Sequence, residues 1–403
     1  MNQAKEELKK FPEKEAVEFI NVGSMSRYEV CGSPLRSVKR FMSSSSLLKG
    51  FASMFGLWAD RPRCHVLLAL IFLFPETYNL IQSVAYGFVC PQLQNNLDSW
   101  FCGNGTRNIS SSDVIDGLQF RINKRDLLDF VLKLAQPVSH LAFLWSVWIP
   151  SKKDEVIRQS HICLLVKPEQ WLKLNCTIFL FIFAMVSSTL WLIIENITGS
   201  TPYLVSSIIY PIPLWASLLT CWIFGAYTSS LEILTSRMES DVTTSDDFDE
   251  IIALHQKLCK TISATSDAFK VWFIIHWALY TALCVVWAAN VVFYYHILLQ
   301  SASAFLSGTI YLFIYVYVFI YPCYCAASVT AKCQQMLTDF NMKYKYEWNE
   351  THPFRQRQQL HVFLKYASYA NCGYKVGSLT FGSMSVFFST LLAITGVGLK
   401  IFN

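Results

Sequence analysis

The sequence is poor in charge. Asp, Glu, Lys and Arg make up 15% of its 403 residues, against about 25% in ordinary soluble proteins. Apolar types reach 53% and aromatic types 15%, and the mean hydropathy is +0.34. Soluble domains of roughly 150 residues each would lack the charge to cover their surfaces. Disorder, coiled coil and small disulfide scaffolds are excluded by the same figures. No internal repeat is visible, which disfavours an inverted-repeat transporter. Enzyme signatures are missing too: there is no GxSxG, HExxH, Walker loop, dinucleotide fingerprint or paired-cysteine zinc motif. The expectation is a non-enzymatic membrane protein with no cofactor and no metal site.

What the chain does have is long apolar runs. A helix needs about 20 mainly apolar residues to cross a bilayer core about 30 Å thick. Seven stretches qualify, at about 65–89, 127–149, 176–195, 206–230, 271–297, 306–328 and 377–399. The fold class expected is therefore an all-α membrane protein with seven transmembrane helices. The segment Met1–Ile20 carries nine charges and is not a cleavable leader, so the first span serves as the targeting signal.

Orientation follows from the basic residues, which cytoplasmic loops retain. Of 33 Lys and Arg, 27 fall in residues 1–63, 150–175, 235–270 and 329–376, all on one side of the seven spans. This makes the N-terminus cytoplasmic and the C-terminus extracellular. Residues 1–63 form a cytoplasmic segment, 64–399 the transmembrane domain and 400–403 a short outer tail. The sequons at Asn104, Asn108 and Asn196 fall on the outer side, where glycans are added. Those at Asn175 and Asn349 fall at the membrane edge or inside and are expected to stay bare. The basic inner segments suit anionic lipid rather than nucleic acid.

Most of the thirteen cysteines lie within spans or inner loops, so no disulfide framework is expected. Cys90 and Cys102 share the first outer loop and are the disulfide candidate, subject to the geometry a bridge demands. Cys323 and Cys325 are read as packing residues.

Two inner loops carry helical stripes. The first joins Phe248, Ile251, Ile252, Leu258, Cys259, Ile262 and Phe269, with polar Thr265 and Ser266 weakening its last turn. It should run directly into the fifth span. The second, beyond a break at Pro353, joins Leu360, Phe363, Leu364, Ala367 and Ala370. Such faces either lie on the membrane surface or pack together as a cytoplasmic helical extension, and the second reading is favoured because both lead towards spans.

Several constellations could carry function. Ser378, Gly382, Ser385, Ser389 and Gly396 share one face of the seventh span. Small residues there either let helices approach closely or line an aqueous pore. Glu76, beside Pro75 in the first span, costs about 2.5–3.5 kcal/mol at mid-bilayer. It either contacts a ligand or ion, or is buried at the proline kink. Asp129 and Lys133 stand one turn apart and should pair. His140 and His276 read first as hydrogen-bonded interior histidines. Aromatic residues crowd the fifth and sixth spans. Trp287, Tyr315 and Tyr317, with His140 and Glu76, are the ligand-pocket candidates, a setting suited to a small organic molecule.

Seven spans, an inner N-terminus and a long helical loop before the fifth span form a distinctive outline. With Phe248-Asp-Glu-Ile-Ile-Ala-Leu-His-Gln-Lys-Leu-Cys and the tail from Gly373-Tyr-Lys-Val-Gly-Ser-Leu-Thr-Phe to Ser389-Thr-Leu-Leu-Ala-Ile-Thr-Gly, it resembles the insect odorant/gustatory receptor superfamily. The likeness is greater to gustatory-receptor-like proteins of other animals, nematode receptors included. Insect gustatory receptors end with Thr-Tyr, five apolar residues and Gln-Phe. Here Thr390 matches, whereas Leu391, Val397 and Gly398 do not, which argues against a sugar or bitter receptor. The resemblance implies a homotetrameric ligand-gated cation channel in the plasma membrane. The last span would line the central pore, cytoplasmic helices would anchor the subunits, and each subunit would hold an outward-facing ligand pocket. A G-protein-coupled serpentine receptor is the rival, but it would be inverted and would carry Asp-Arg-Tyr and Asn-Pro-x-x-Tyr motifs. An orphan membrane protein without channel activity is the remaining alternative.

Overall fold

The computed structural model describes residues 124–148, 168–196, 211–298, 302–377 and 379–381, besides Leu48, Leu73, Phe74, Thr77 and Ile81. All of them belong to the unit Met42–Asn403, and the unit Met1–Phe41 lies outside the described residues. Six helices are described: α1 (Lys124–Trp148), α2 (Pro168–Asn196), α3 (Pro211–Thr244), α4 (Phe248–Leu298), α5 (Ala302–Met342) and α6 (Arg357–Ala370). A short antiparallel hairpin follows, β1 (Lys375–Val376) and β2 (Leu379–Thr380).

The helix starts are legible in the chain. Pro168 opens α2, and Pro211 and Pro213 lie in the first turn of α3. There the missing N–H costs nothing, because first-turn donors have no partner within the helix. At the start of α4 the Asp247 carboxylate accepts from the Asp249 N–H at 3.0 Å. Asp249 and Glu250 then place negative charge against the positive end of the helix dipole.

The stripe from Phe248 to Phe269 does run without interruption into the apolar stretch beyond it. Together they form α4, 51 residues long and so about 77 Å from end to end at 1.5 Å per residue. Thr265 and Ser266, the weak point of the stripe, are both 1% exposed. Their hydroxyls are satisfied: Thr265 donates to the Thr261 carbonyl at 2.9 Å, and Ser266 accepts the Lys375 N–H at 3.2 Å. The third expected span falls within α2 and the sixth within α5, and the second lies in α1 up to Trp148, with position 149 outside the described residues. The fourth and fifth overlap α3 and α4 in the same way, whereas most of the first and seventh lies outside the described residues. The strand at Leu379–Thr380 moves any helix of the seventh span, expected from position 377, beyond Thr380. Gly377 turns the hairpin at φ 67, a conformation that costs a glycine little.

α3 is buried on nearly every side between Pro213 and Leu231, as expected of a central helix without an amphipathic face. It packs chiefly against α5, while α4 packs chiefly against α1. Phe143 of α1, Phe224 of α3, and Phe269 and Trp272 of α4 meet with ring centroids 5.0–6.1 Å apart. Large apolar side chains face outwards along α1, α2 and α5. Phe183 is 75% exposed, Phe313 69%, Leu180 66% and Trp145 61%, a band that water would penalise and lipid would not. Among the described residues, Leu312–Met342 is long and apolar enough to cross a membrane, and the apolar stretch Trp171–Ala184 is shorter.

Beyond that band, the far end of α3, the first part of α4, the last part of α5 and all of α6 gather around Phe340, Phe354 and Phe363. The two apolar stripes therefore face each other rather than a membrane surface. Removing each ring from water there is worth about 1.5–3 kcal/mol. Pro353 does interrupt the second segment: it opens the 3-10 turn Pro353–Arg355, after which α6 begins. α6 ends at Asn371 in a left-handed conformation, φ 47, a usual stop for a helix.

Candidate functional site: a polar centre around a proline-freed carbonyl

Pro322 lies inside α5. It has no N–H to donate, so the carbonyl four residues back, that of Val318, loses its partner within the helix. His276 of α4 supplies one: its Nε2 lies 2.9 Å from the Val318 oxygen. A carbonyl only accepts, so Nε2 carries the proton and Nδ1 accepts from the Ser139 hydroxyl of α1 at 2.7 Å. Cys221 of α3 donates to the same Val318 oxygen at 3.5 Å. One imidazole, 2% exposed, thus joins α1, α4 and α5 at the point where α5 is weakest.

Rings and hydroxyls extend this centre. Tyr280 lies on the His276 ring with centroids 4.4 Å apart, and its hydroxyl donates to Ser217 at 2.8 Å. Ser217 in turn donates to the Pro213 carbonyl at 3.1 Å. On the other side of α3, Trp222 donates its indole N–H to the Tyr317 hydroxyl at 3.1 Å. Tyr317 stacks on Tyr321, with centroids 5.0 Å apart, and meets Phe181 of α2 at 4.5 Å. Gly225 makes room for that stack, because a Cβ there would stand 2.4 Å from the Tyr321 hydroxyl oxygen. Gln136 of α1 points its amide at the Tyr315 hydroxyl, 3.4 Å away.

Three of the expected pocket residues are therefore placed in the bundle core. Tyr315 and His140 are buried at 3% and 1% exposure, and Tyr317 is partly buried. Tyr315 and Tyr317 are joined to α1 and α3 by hydrogen bonds. Trp287 belongs to α4, but its side chain is not among those described, and Glu76 lies outside the described residues. So do Ser378, Gly382, Ser385, Ser389 and Gly396, together with Asn104, Asn108, Cys90 and Cys102. Asn196 ends α2, with its side chain likewise undescribed.

His276 was read as a hydrogen-bonded interior histidine, which the geometry bears out. Its partners Ser139 and Cys221, and the neighbouring Ser217, Trp222 and Tyr280, were not singled out by sequence reasoning. The available signal was Pro322: a proline in a buried helix frees a carbonyl that must find a donor elsewhere.

Comparisons with known proteins bear on the whole arrangement. No protein-family model matches the sequence, and no curated protein matches it. Solved structures do match: the insect olfactory receptor OR5 from Machilis hrabei superposes with a TM-score of 0.50 at 10% identity, covering 91% of this chain and 97% of that one. The fold is that of an insect olfactory receptor. The same receptor in complex with eugenol gives a TM-score of 0.52 at 9% identity, with 91% and 98% coverage. At such identities the likeness concerns the fold alone.

Proposed function

We propose that the chain is a chemosensory receptor subunit of gustatory-receptor-like type, a ligand-gated cation channel in the plasma membrane. The observation that carries this reading is the end-to-end likeness to OR5, which spans 91% of the chain and 97% of that receptor. The outward-facing apolar band and the one-sided distribution of basic residues support seven spans with a cytoplasmic N-terminus and an extracellular C-terminus. The functional unit is a homotetramer. The seventh helix lines its pore with Gly382, Ser385, Ser389 and Gly396, and Ser378 stands at its entrance.

The ligand is a small organic molecule held beside Tyr315 and Tyr317, with His140 nearby and Trp287 and Glu76 completing the pocket. OR5 itself has been solved with eugenol. Tyr315 and Tyr317 stand within two turns of Pro322, so a ligand that displaces them acts on α5 where its own hydrogen bonding is interrupted. The outer loop carries glycans at Asn104 and Asn108, the next at Asn196, and Cys90 bridges to Cys102. A G-protein-coupled receptor would need the opposite orientation.

Particle symmetry tests the proposal. Full-length protein in lipid nanodiscs should form four-fold particles with residues 378–396 around the axis. Folded monomers as the sole species would overturn the channel reading.

A further inference from the structure

Outside the polar centre, the chain gathers four metal-ligating side chains where the segment after α6 begins. His255 and Cys259 stand one turn apart on the same face of α4. Cys333 comes from α5, and Cys372 from the turn that leaves α6. The ligand atoms of His255, Cys259 and Cys372 all lie within 4.8 Å of one another. The Cys259 sulfur is 3.7 Å from His255 Nδ1 and 3.8 Å from Nε2, and the Cys372 sulfur is 3.4 Å from that of Cys333. His255 and Cys333 are fully buried, and Cys372 is 8% exposed.

We propose that His255, Cys259, Cys333 and Cys372 form a structural zinc site that ties α4 and α5 to the segment leading into the seventh span. Zinc takes four tetrahedral ligands at about 2.3 Å for sulfur and 2.0–2.1 Å for nitrogen, which sets ligand-to-ligand separations of roughly 3.4–3.8 Å. The Cys259–His255 and Cys372–Cys333 separations already fall in that range, and Cys372 lies within 4.8 Å of both His255 and Cys259, so closure requires the four side chains to draw together around the ion. Three cysteines and one histidine are a closed structural set that leaves no coordination position for water. Deep burial and soft sulfur donors favour zinc over magnesium or calcium, which take oxygen.

The surroundings hold the cluster tightly. His255 packs edge-on against Phe363 and Tyr366 of α6, at 5.6 and 5.5 Å, which fixes the ring. Immediately after Cys372, Gly373 passes so close to Thr330 that a Cβ would stand 2.9 Å from its methyl carbon. The Tyr374 N–H donates to the Thr330 hydroxyl at 3.0 Å. The metal would thus hold the base of the last segment against α4 and α5. On the orientation proposed above the site faces the reducing cytosol, where thiols stay free. It does not depend on channel activity, so its failure would leave the channel reading untouched.

The test is metal analysis of the full-length protein, purified in detergent without chelator. About one zinc per chain is expected for a closed four-ligand site. Exchange with cobalt should give the visible bands of a tetrahedral thiolate complex. In the variants Cys259→Ser and Cys372→Ser the bound zinc should fall by about tenfold or more, while Cys176→Ser, at an exposed thiol, should retain it. A folded wild-type protein that binds no zinc or cobalt would overturn the proposal, as would full zinc retention in the Cys259→Ser/Cys372→Ser double variant. A Cys333–Cys372 disulfide found by mass spectrometry would overturn it equally. If the variants do not fold, the wild-type zinc content and cobalt spectrum decide.

Discussion

At the scale of single residues, His276 stands out because it compensates for Pro322. The Val318 carbonyl takes its donor from another helix, and losing that donor would leave a buried acceptor unsatisfied, at a cost of about 1–3 kcal/mol. His276→Phe keeps most of the ring volume but removes the N–H, and should destabilise the protein by about that amount. In a Pro322→Ala background α5 recovers its own donor, so the same substitution should cost about 1 kcal/mol less. Thermal unfolding of the four proteins of this cycle in one detergent gives the coupling. Equal costs in both backgrounds would mean that Val318 does not depend on His276. None of this could be read from spacing. Ser139, Cys221, His276 and Val318 come from four helices, and between Pro213 and Leu231 α3 presents no polar face because it is buried on nearly every side there.

At the scale of elements, the stripes were legible and their partners were not. The recurrence from Phe248 to Phe269 defines a helix face by itself, and Pro353 marks a break because it cannot donate a backbone hydrogen bond. Thr265 and Ser266 looked like a fault only because their compensation is distant or within the backbone: Ser266 meets Lys375, 109 positions away. In the proposed zinc cluster, Cys333 and Cys372 are likewise distant in sequence from the His255–Cys259 pair of α4. His352, by contrast, locks the turn between α5 and α6 to the end of α3. Its Nε2–H donates to the Val242 carbonyl at 2.6 Å, and Nδ1 accepts the Phe354 N–H at 3.0 Å. Burial pushes its pKa down from the ordinary value, because the charged ring is costly to hold away from water, and protonation would also take from Nδ1 its role as acceptor. The folded form therefore binds a proton less readily than the unfolded chain. The stability this contact provides should be complete above about pH 6.5, the unfolded value, and decline as the pH falls below it. Amide exchange over residues 345–356 should accelerate on acidification in the wild type, and His352→Gln should flatten that dependence. An acid response unchanged by His352→Gln would assign it to another group.

At the scale of the whole molecule, orientation is the property on which the functional reading turns, and two sequons make it measurable. Asn175 and Asn349 are both expected to be bare, but for different physical reasons. Asn175 is fully buried in α2, so a glycan could not reach it whichever way the chain was inserted. Asn349 sits exposed in the turn between α5 and α6, with its carbonyl accepting the His352 N–H. Burial does not protect it, and only location can keep it unmodified. On the proposed topology, which rests on the apolar runs and on 27 of 33 Lys and Arg falling on one side, that turn is expected in the cytoplasm. Replacing Asn104, Asn108 and Asn196 together by Gln should remove the endoglycosidase-sensitive mass of the protein made in animal cells, and Asn349→Gln should leave it unchanged. Loss of that mass in Asn349→Gln alone would invert the topology and favour the serpentine-receptor alternative. Because Asn349 is exposed in the fold itself, this comparison reads insertion of the chain rather than packing.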